Sequence, residues 1–291
     1  MSLATITRKS LLYRSKVEYG GWTANHVLGC SHGCRYPCYA MTLAKRTGRV
    51  TTYEDWLEPR LVSNALELLE GELRRYAGQI DSVHLCFTTD PFMYDTSAGV
   101  PLGPIASATM AIIRRLNRDD IPVTVLTKGV FPVELEVEVP ELHPDNQFGI
   151  SLVSLSESYR AEWEPGAAAA ELRIASLRRL SAAGARTWIS AEPYPTPNID
   201  ATAPEIEALL DEVRFVDKIV FGKWNYNRLV TEYDRQHSFY AQLSPQVTDW
   251  CQRHQKRLHI KTGTPGATES AGSFLSVPSA VGVSSSLNCT T

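Results

Sequence analysis

The sequence predicts a parallel α/β fold in which short strands alternate with longer amphipathic helices. From Gly21 onward, apolar runs of strand length are separated by helical patterns, the clearest of which covers 167–182 and ends before Gly184. Polar residues follow most of the apolar runs. Because right-handed crossovers bring the carboxyl ends of parallel strands together, we expect a full or partial barrel with its active site on that rim.

The predicted strands are apolar runs bounded by Gly, Pro or polar residues, and the gaps between them leave room for helices. These strands cover 22–28, 82–87, 123–127, 148–154, 186–191, 218–221 and 258–261. Helices are predicted at 56–76, 105–116, 167–182 and 245–254. The alternation therefore predicts six to seven β/α units.

The 291 residues suffice for one large barrel or two smaller domains. We predict a basic lead-in segment at 1–20, a barrel at 21–263 and a C-terminal tail with little fixed structure at 264–291, since the tail is rich in Ser, Gly, Pro and Ala without a helical period. Neither an apolar run of membrane-spanning length nor a signal-peptide pattern is visible. A cytoplasmic location without a membrane partner is therefore expected.

The net charge of −3 argues against a surface that binds polyanions everywhere, although a local basic groove is compatible with it. Arginine pairs fall toward predicted helix C-termini, where cations complement the helix dipole, so solvated helix ends explain them better than nucleic-acid binding does. These pairs are Arg74-Arg75, Arg114-Arg115 and Arg178-Arg179. Nucleic acid stays open as a substrate without being indicated.

Half of the six cysteines fall in one short stretch, GCSHGCRYPCYA. They are Cys30, Cys34 and Cys38. Cysteines this close share a metal, form disulfides or are coincidental, and six in a chain of this length do not resemble a secreted disulfide framework. Gly33 and Pro37 oppose a helix, so we predict a loop that folds around a metal or an inorganic cluster.

Zinc is the rival ligand for this loop. A structural zinc site needs four closed ligands, commonly from two pairs, and no second cysteine pair follows at a suitable distance. His32 lies inside the loop and is better interpreted as a loop histidine than as a ligand. Three cysteines on a cubane cluster would instead leave one iron open to an outside ligand.

The loop and the polar strand ends together resemble the radical S-adenosylmethionine superfamily. The loop is most similar to that of the spore photoproduct lyase-like branch, G-C-x-H-G-C-x-Y-C-Y-A, and the resemblance covers about 20–262. Supporting fragments are Thr88-Thr89-Asp90-Pro91, Leu126-Thr127-Lys128 and Gly149-Ile150-Ser151. The chain departs from the usual C-x3-C-x2-C pattern, because Pro37 adds a residue and makes it C-x3-C-x3-C.

The resemblance implies a partial (β/α)6 barrel of TIM type and an enzyme that uses two cofactors. Cys30, Cys34 and Cys38 would ligate a [4Fe-4S] cluster whose open iron binds S-adenosylmethionine. One electron, from a donor such as flavodoxin or ferredoxin, would cleave the sulfonium reductively and release a 5'-deoxyadenosyl radical. That radical would abstract hydrogen from an unknown substrate.

The resemblance also implies which residues meet S-adenosylmethionine. Thr88, Thr89 and Asp90 would face the methionine ammonium, Lys128 its carboxylate or a ribose oxygen, and Ser151 the ribose. Tyr36 and Tyr39 would pack beside the cluster and the adenine, Glu192 would meet the adenosyl part, and Trp224 would lie on the same rim. Glu157 is a weaker candidate there.

Cys86 is the candidate hydrogen-donor residue. In the lyase branch the donor cysteine stands at the position that Phe87 occupies here, one residue further along. Since one step along a strand reverses the face, Cys86 is expected to face away from the radical, and a buried core cysteine is the favoured alternative to a donor. Thymine photoproduct repair is therefore not implied. The alternative for the whole chain is a non-catalytic zinc or iron-sulfur protein that uses the cysteine loop structurally.

Overall fold

The computed structural model describes residues 3–15, 18, 21–35 and 38–267. The strands are β1 (Ala4–Ile6), β2 (Leu12–Arg14), β3 (Trp22–Ala24), β4 (Val27–Leu28), β5 (Arg60–Val62), β6 (Val83–Leu85), β7 (Tyr94–Asp95), β8 (Val100–Pro101), β9 (Val123–Thr127), β10 (Gln147–Ser151), β11 (Arg186–Tyr194), β12 (Lys218–Lys223) and β13 (Arg257–Ile260). The helices are α1 (Tyr39–Arg46), α2 (Tyr53–Leu57), α3 (Ala65–Arg75), α4 (Gly103–Arg118), α5 (Val133–Glu138), α6 (Glu157–Trp163), α7 (Ala170–Ala182), α8 (Ile206–Glu212), α9 (Arg228–Thr231) and α10 (Gln236–Arg253), with a 3-10 turn at Val139–Glu141.

The main sheet has the order β2-β3-β6-β9-β10-β11-β12-β13. Its strands are parallel from β3 to β13, and β2 pairs with β3 in antiparallel fashion. In the part of the chain that the structure describes, β2 and β13 end the sheet without pairing with each other. The sheet is therefore an open barrel, and the predicted partial (β/α)6 barrel is confirmed.

The two faces of the sheet differ in their surroundings, as the alternation of side chains requires. Val123 and Val125 of β9 are buried in the same apolar core as Ile112 and Ile113 of α4. Leu126 points to the other face and is only half-buried. The core thus lies between the sheet and its helices, and the opposite face is left to line the barrel interior.

The helix predicted at 56–76 is wrong, because the segment contains α2, β5 and α3 instead. Pro59 lies between α2 and β5, and proline lacks the amide donor that a continuous helix needs. The strand β5 pairs with β1 and β4 in a small second sheet. The strand predicted at 22–28 is accordingly split, since its first part joins the main sheet and its second part joins this small one.

The C-terminal part of the barrel is longer than predicted. Helix α10 begins at Gln236, well before the predicted start at Pro245. Thr264 is buried, and the Ser244 hydroxyl donates a hydrogen bond to the Pro265 carbonyl over 2.7 Å. Residues 264–267 therefore pack on α10 rather than belonging to a loose tail, and 268–291 lie outside the described residues. Among the residues described, no helix combines the length and the apolar character needed to cross a bilayer.

Candidate functional site

The cysteine loop begins directly after β4 and is pressed against α2. Gly29 has a φ of +86°, and a Cβ at this position would lie 2.8 Å from the carbonyl oxygens of Trp56 and Glu58. The amide of Cys30 donates to the Trp56 carbonyl over 2.8 Å. Only glycine combines this backbone conformation with so close an approach, so Gly29 sets the direction in which the loop leaves the strand.

The rest of the loop is held by backbone contacts from two other segments. The Tyr53 hydroxyl donates to the Gly33 carbonyl over 2.6 Å. At the end of α6, the Trp163 carbonyl accepts a hydrogen bond from the Arg35 amide over 2.9 Å. Just beyond α6, the Gly166 amide donates a hydrogen bond to the His32 carbonyl, also over 2.9 Å. The loop therefore has a shape imposed by the surrounding fold. Tyr36 and Pro37 lie outside the described residues, so the predicted contact of Tyr36 stays a prediction.

His32 anchors the middle of the loop from inside. Its side chain is 1% exposed, its Nε2 accepts the Tyr94 amide over 2.9 Å, and its Nδ1 lies 3.4 Å from an oxygen of Asp90. Because Nε2 accepts, the neutral ring carries its hydrogen on Nδ1, which faces Asp90. Burial lowers the pKa of His32 despite the opposing effect of Asp90. Both ring nitrogens are thus engaged within the protein, which supports a loop histidine rather than a zinc ligand.

Among the described residues, the three loop cysteines form no disulfide. Burial raises the pKa of Cys30 well above its ordinary value, and the nearby Asp90 and Cys34 raise it further. Burial also raises the pKa of Cys38, although amides at the start of α1 lower it. Deprotonating these thiols without a bound cation would be costly, so they suit a positively charged inorganic centre.

In the described parts of the chain, no three His, Cys, Asp or Glu side chains are grouped as ligands of a metal ion. A single zinc ion would need its thiolates to converge at about 2.3 Å from one point. A cubane cluster places each thiolate on a different iron and so separates them. Three cysteine side chains in one shaped loop are the ligand set that a [4Fe-4S] cluster takes when one iron is left open.

Asp90, predicted to face the methionine ammonium, has its carboxylate surrounded by protein donors. One oxygen accepts from the Phe92 amide over 2.9 Å and from the Thr127 hydroxyl over 2.7 Å. The other accepts from the Lys128 amide over 2.8 Å and faces His32. Asp90 thus ties the ends of β6 and β9 to the cysteine loop.

The two threonines before Asp90 also make contacts inside the protein. The Thr88 amide donates to the side chain of Asn25 over 2.9 Å. The Thr89 hydroxyl donates to the Gly29 carbonyl over 2.5 Å. Thr89 therefore links the end of β6 directly to the first residue of the cysteine loop.

Lys128 belongs to a buried ion-pair network that the sequence did not predict. Its ammonium lies 2.6 Å from Glu164, whose other oxygen lies 2.8 Å from Arg173. Arg173 donates in turn to the carbonyl of Ser151 over 2.9 Å. Burial alone would raise the pKa of Glu164, but Lys128 and Arg173 lower it to about 2. The signal available in the sequence was Glu-Pro-Gly at 164–166, a loop motif just before the best-defined helix.

A cavity of about 440 Å³ lies at the carboxyl ends of the barrel strands. It is lined by Tyr39, His84, Cys86, Phe87, Thr89, Leu126, Ser190, Glu192, Pro193, Lys223, Trp224, Asn225, Tyr226 and Lys261. The structure thus brings together the predicted residues Tyr39, Cys86, Thr89, Glu192 and Trp224. The predicted residues Asp90, Lys128 and Ser151 lie beside the cysteine loop and the ion-pair network rather than in this lining.

The predicted rim residues differ in how freely they meet the cavity. Tyr39 is 57% exposed at the start of α1, so its ring stands at the mouth. Trp224 is buried, and its ring packs edge-on against Trp163 at 5.5 Å between centroids. Glu192 pairs with Lys261 at 3.0 Å. Burial raises the pKa of Glu192, and Lys261 opposes that effect.

Cys86 faces the cavity, contrary to the expectation from strand alternation. Strand β6 ends at Leu85, and Cys86 adopts a left-handed φ of +52°, so Cys86 and Phe87 both line the cavity. The sulfur lies 3.4 Å from Nδ1 of His26, whose Nε2 lies 2.8 Å from the Thr109 hydroxyl oxygen. Burial raises the pKa of Cys86, which therefore remains a thiol at neutral pH.

His84 is a cavity residue that the sequence analysis missed. It is 5% exposed, and within the described residues its Nδ1 has no hydrogen-bond partner. Burial lowers its pKa to about 3, so the ring is neutral. Its position two residues before Cys86 on a predicted strand was the available signal, since such residues share a face. A polar group of a bound molecule could satisfy this nitrogen.

Comparison of the whole chain with solved structures relates the fold to spore photoproduct lyase. The lyase complexed with a dinucleoside spore photoproduct aligns with a TM-score of 0.60 at 15% identity, over 89% of this chain and 81% of that chain. A lyase variant with bound AdoMet and the dinucleoside aligns with a TM-score of 0.59 at 14% identity, over 87% of this chain and 80% of that chain. The chain shares the fold of spore photoproduct lyase. At this identity the similarity establishes the fold alone.

Sequence comparisons add little beyond this. No protein-family model matches the chain. Curated relatives include uncharacterized proteins of Mycobacterium bovis and Mycobacterium tuberculosis, each 25% identical over 204 residues, which is 66% of this chain and 54% of the relative. The chain therefore spans about half the length of the curated relatives it matches.

Proposed function

We propose that this chain is a radical SAM enzyme that binds a [4Fe-4S] cluster through Cys30, Cys34 and Cys38. The observation that carries the proposal is the placement of three cysteines, none of them in a disulfide among the described residues, in one loop beside the cavity of a barrel with the lyase-like fold. Tyr39 follows the last of these cysteines and lines the cavity, and Thr89 joins the cavity wall to Gly29. A ligand in the cavity would therefore lie next to the cysteine loop.

The bound cluster would supply an electron for reductive cleavage of S-adenosylmethionine to methionine and a 5'-deoxyadenosyl radical. The residues of the chain would hold the reactants and exclude water. Trp224 and Phe87 present apolar surface to the cavity, while Glu192 and Lys261 form an ion pair on its wall. The electron would come from a small redox protein such as flavodoxin or ferredoxin, which is part of the proposal.

Cys86 is proposed as a hydrogen-atom donor to a substrate radical. That role needs a thiol rather than a thiolate, and the raised pKa of Cys86 keeps the S–H intact. The S–H is oriented by His26, because the Thr109 hydroxyl donates to the Pro91 carbonyl and leaves its oxygen to accept from His26 Nε2. His26 Nδ1 is then free to accept from Cys86.

The cavity suits a planar polar substrate, and we include nucleic acid or its components in the proposal. Aromatic rings of Phe87, Trp224 and Tyr226 border it beside the amide of Asn225 and the ammonium of Lys223. Rings stack on bases, and amides and cations meet base edges and phosphates. The similar lyase was solved with a dinucleoside spore photoproduct.

The experiment that tests the proposal is anaerobic reconstitution with iron and sulfide, followed by electron paramagnetic resonance of the reduced protein. We expect about four irons per chain and a signal that changes when S-adenosylmethionine is added. The alternative function, a protein with a structural metal, predicts zinc in place of iron or an iron signal that S-adenosylmethionine leaves unchanged. Either of those results would contradict the proposal.

A further inference from the structure

One short segment, which covers 163–168 and begins at the last residue of α6, contacts both the cysteine loop and Lys128. On the loop side, Trp163 and Gly166 bond to the backbone of Arg35 and His32. On the other side, the amide of Ala168 donates to the Lys128 carbonyl over 3.0 Å. The segment therefore fixes the position of Lys128 relative to the cysteines.

The charged groups of this segment are buried to an unusual degree. The side chains of Glu164, Arg173 and Lys128 are 2%, 4% and 14% exposed. Removing such charges from water costs several kcal/mol for each ion, and a buried ion pair often stabilises the fold no better than apolar residues would. A contribution to stability therefore explains this network poorly. Holding one of its side chains in a defined position explains it better.

Lys128 is a flexible member of this network, because its ammonium is carried by a four-carbon side chain with many rotamers. Glu164 binds that ammonium at 2.6 Å. Arg173 holds Glu164 in place and is itself fixed by bonds to the carbonyls of Ala168 and Ser151. The Lys128 backbone amide also donates a hydrogen bond to Asp90, whose carboxylate faces His32 of the cysteine loop.

We propose that Glu164 is a positioning residue that holds the Lys128 ammonium beside the cysteine loop, where it receives the carboxylate of S-adenosylmethionine. The inference rests on the proposed function and goes beyond it by assigning a role to a residue that contacts neither the cluster cysteines nor the cavity. Without Glu164, Lys128 would spread over several rotamers and the affinity for the carboxylate would fall.

The test compares Glu164→Gln with Glu162→Gln, which alters an exposed glutamate of α6 two residues earlier and provides a matched control. Each reconstituted protein is assayed for iron per chain and for the dissociation constant of S-adenosylmethionine by equilibrium dialysis. We expect Glu164→Gln to raise that constant at least tenfold with iron per chain unchanged, and Glu162→Gln to change it less than twofold. If Glu164→Gln does not fold, Glu164→Asp replaces it in the test. This variant keeps the negative charge but places it further from Lys128, so we expect the same rise in the dissociation constant.

A double-variant cycle separates positioning from general damage to the structure. Lys128→Met leaves Glu164 paired with Arg173 and should weaken binding by itself. If Glu164 acts through Lys128, adding Glu164→Asp to Lys128→Met weakens binding no further. Two results would overturn the inference when the wild-type protein binds S-adenosylmethionine normally. One is that the losses of affinity in the double variant add, and the other is that the Glu164 and Glu162 variants have equal dissociation constants. A wild-type protein that loads iron but binds no S-adenosylmethionine would instead refute the proposed function.

Discussion

The carboxylates of Asp90 and Glu164 hold the residues of the site in place. Each is buried, and each accepts from groups that belong to different segments of the chain. Asp90 ties His32 to the ends of β6 and β9, and Glu164 ties Lys128 to Arg173. A buried carboxylate is stable only when it is paired in this way, so its partners are constrained as strongly as the carboxylate itself.

The pairing of Glu164 predicts how stability depends on pH. Its pKa is lowered from 4.5 to about 2 in the folded protein. A lowered pKa stabilises the fold above the unfolded value and loses that contribution as the pH falls through the folded value. The contribution, on the order of 3 kcal/mol, should be constant near neutral pH and disappear between pH 4.5 and about 2. Urea unfolding should show that wild type has a higher free energy of unfolding than Glu164→Gln, and that this difference shrinks as the pH falls through this range. A difference that stays constant would contradict the lowered pKa of Glu164.

The burial of Cys86 predicts low reactivity toward alkylating agents. The thiolate is the reactive form, and both the raised pKa and the 2% exposure of Cys86 suppress it. In folded apoprotein treated with iodoacetamide at pH 8, mass spectrometry should find Cys86 unmodified. The same treatment in urea should label it, which serves as the control. Rapid labelling in the folded protein would show that the cavity side of the sulfur is open.

Among the elements, the segment around Gly166 is the tightest contact on the cysteine loop. A Cβ at Gly166 would lie 2.3 Å from the Ser31 carbonyl oxygen and 3.0 Å from the Cα of His32. The neighbours are backbone atoms, which cannot rotate away as a side chain can. Any side chain at this position must therefore displace the loop.

Gly166→Ala is accordingly expected to destabilise the protein by about 1–3 kcal/mol and to lower iron per chain after reconstitution. The matched control is Gly71→Ala in α3, where nothing lies within 4 Å of the added Cβ. That variant should keep its iron and gain up to about 1 kcal/mol of stability, since alanine favours a helix. Equal iron content in both variants would show that the loop tolerates the displacement.

The elements also show what the sequence could reveal. The strand predicted at 123–127 matches β9 in full, because its apolar alternation and flanking polar residues are local signals. The prediction of a helix at 56–76 failed because β5 forms by pairing with β1 and β4, which come from earlier parts of the sequence. The role of Glu164 was missed for the same reason, since its partners Lys128 and Arg173 come from other segments. Cys86 was misjudged because alternation was applied beyond the point where β6 ends.

For the whole molecule, the decisive feature is an open barrel whose carboxyl rim collects the cysteine loop and the cavity. Both β2 and β13 end the sheet within the described residues, so the rim is not a closed ring. Local sequence patterns located the rim by its polar strand ends, and the cysteine loop lay on it as expected. The cavity could not be predicted in the same way, because its lining comes from side chains of several separate segments.

The most direct test of radical chemistry is the formation of 5'-deoxyadenosine by anaerobically reconstituted, reduced protein in the presence of S-adenosylmethionine. Wild type and Cys289→Ala, which alters a cysteine outside the loop, are expected to form it, and Cys34→Ala is expected to lose at least 90% of the product because one cluster ligand is missing. Absence of 5'-deoxyadenosine from wild-type protein that carries about four irons per chain, or its undiminished formation by Cys34→Ala, would contradict the account.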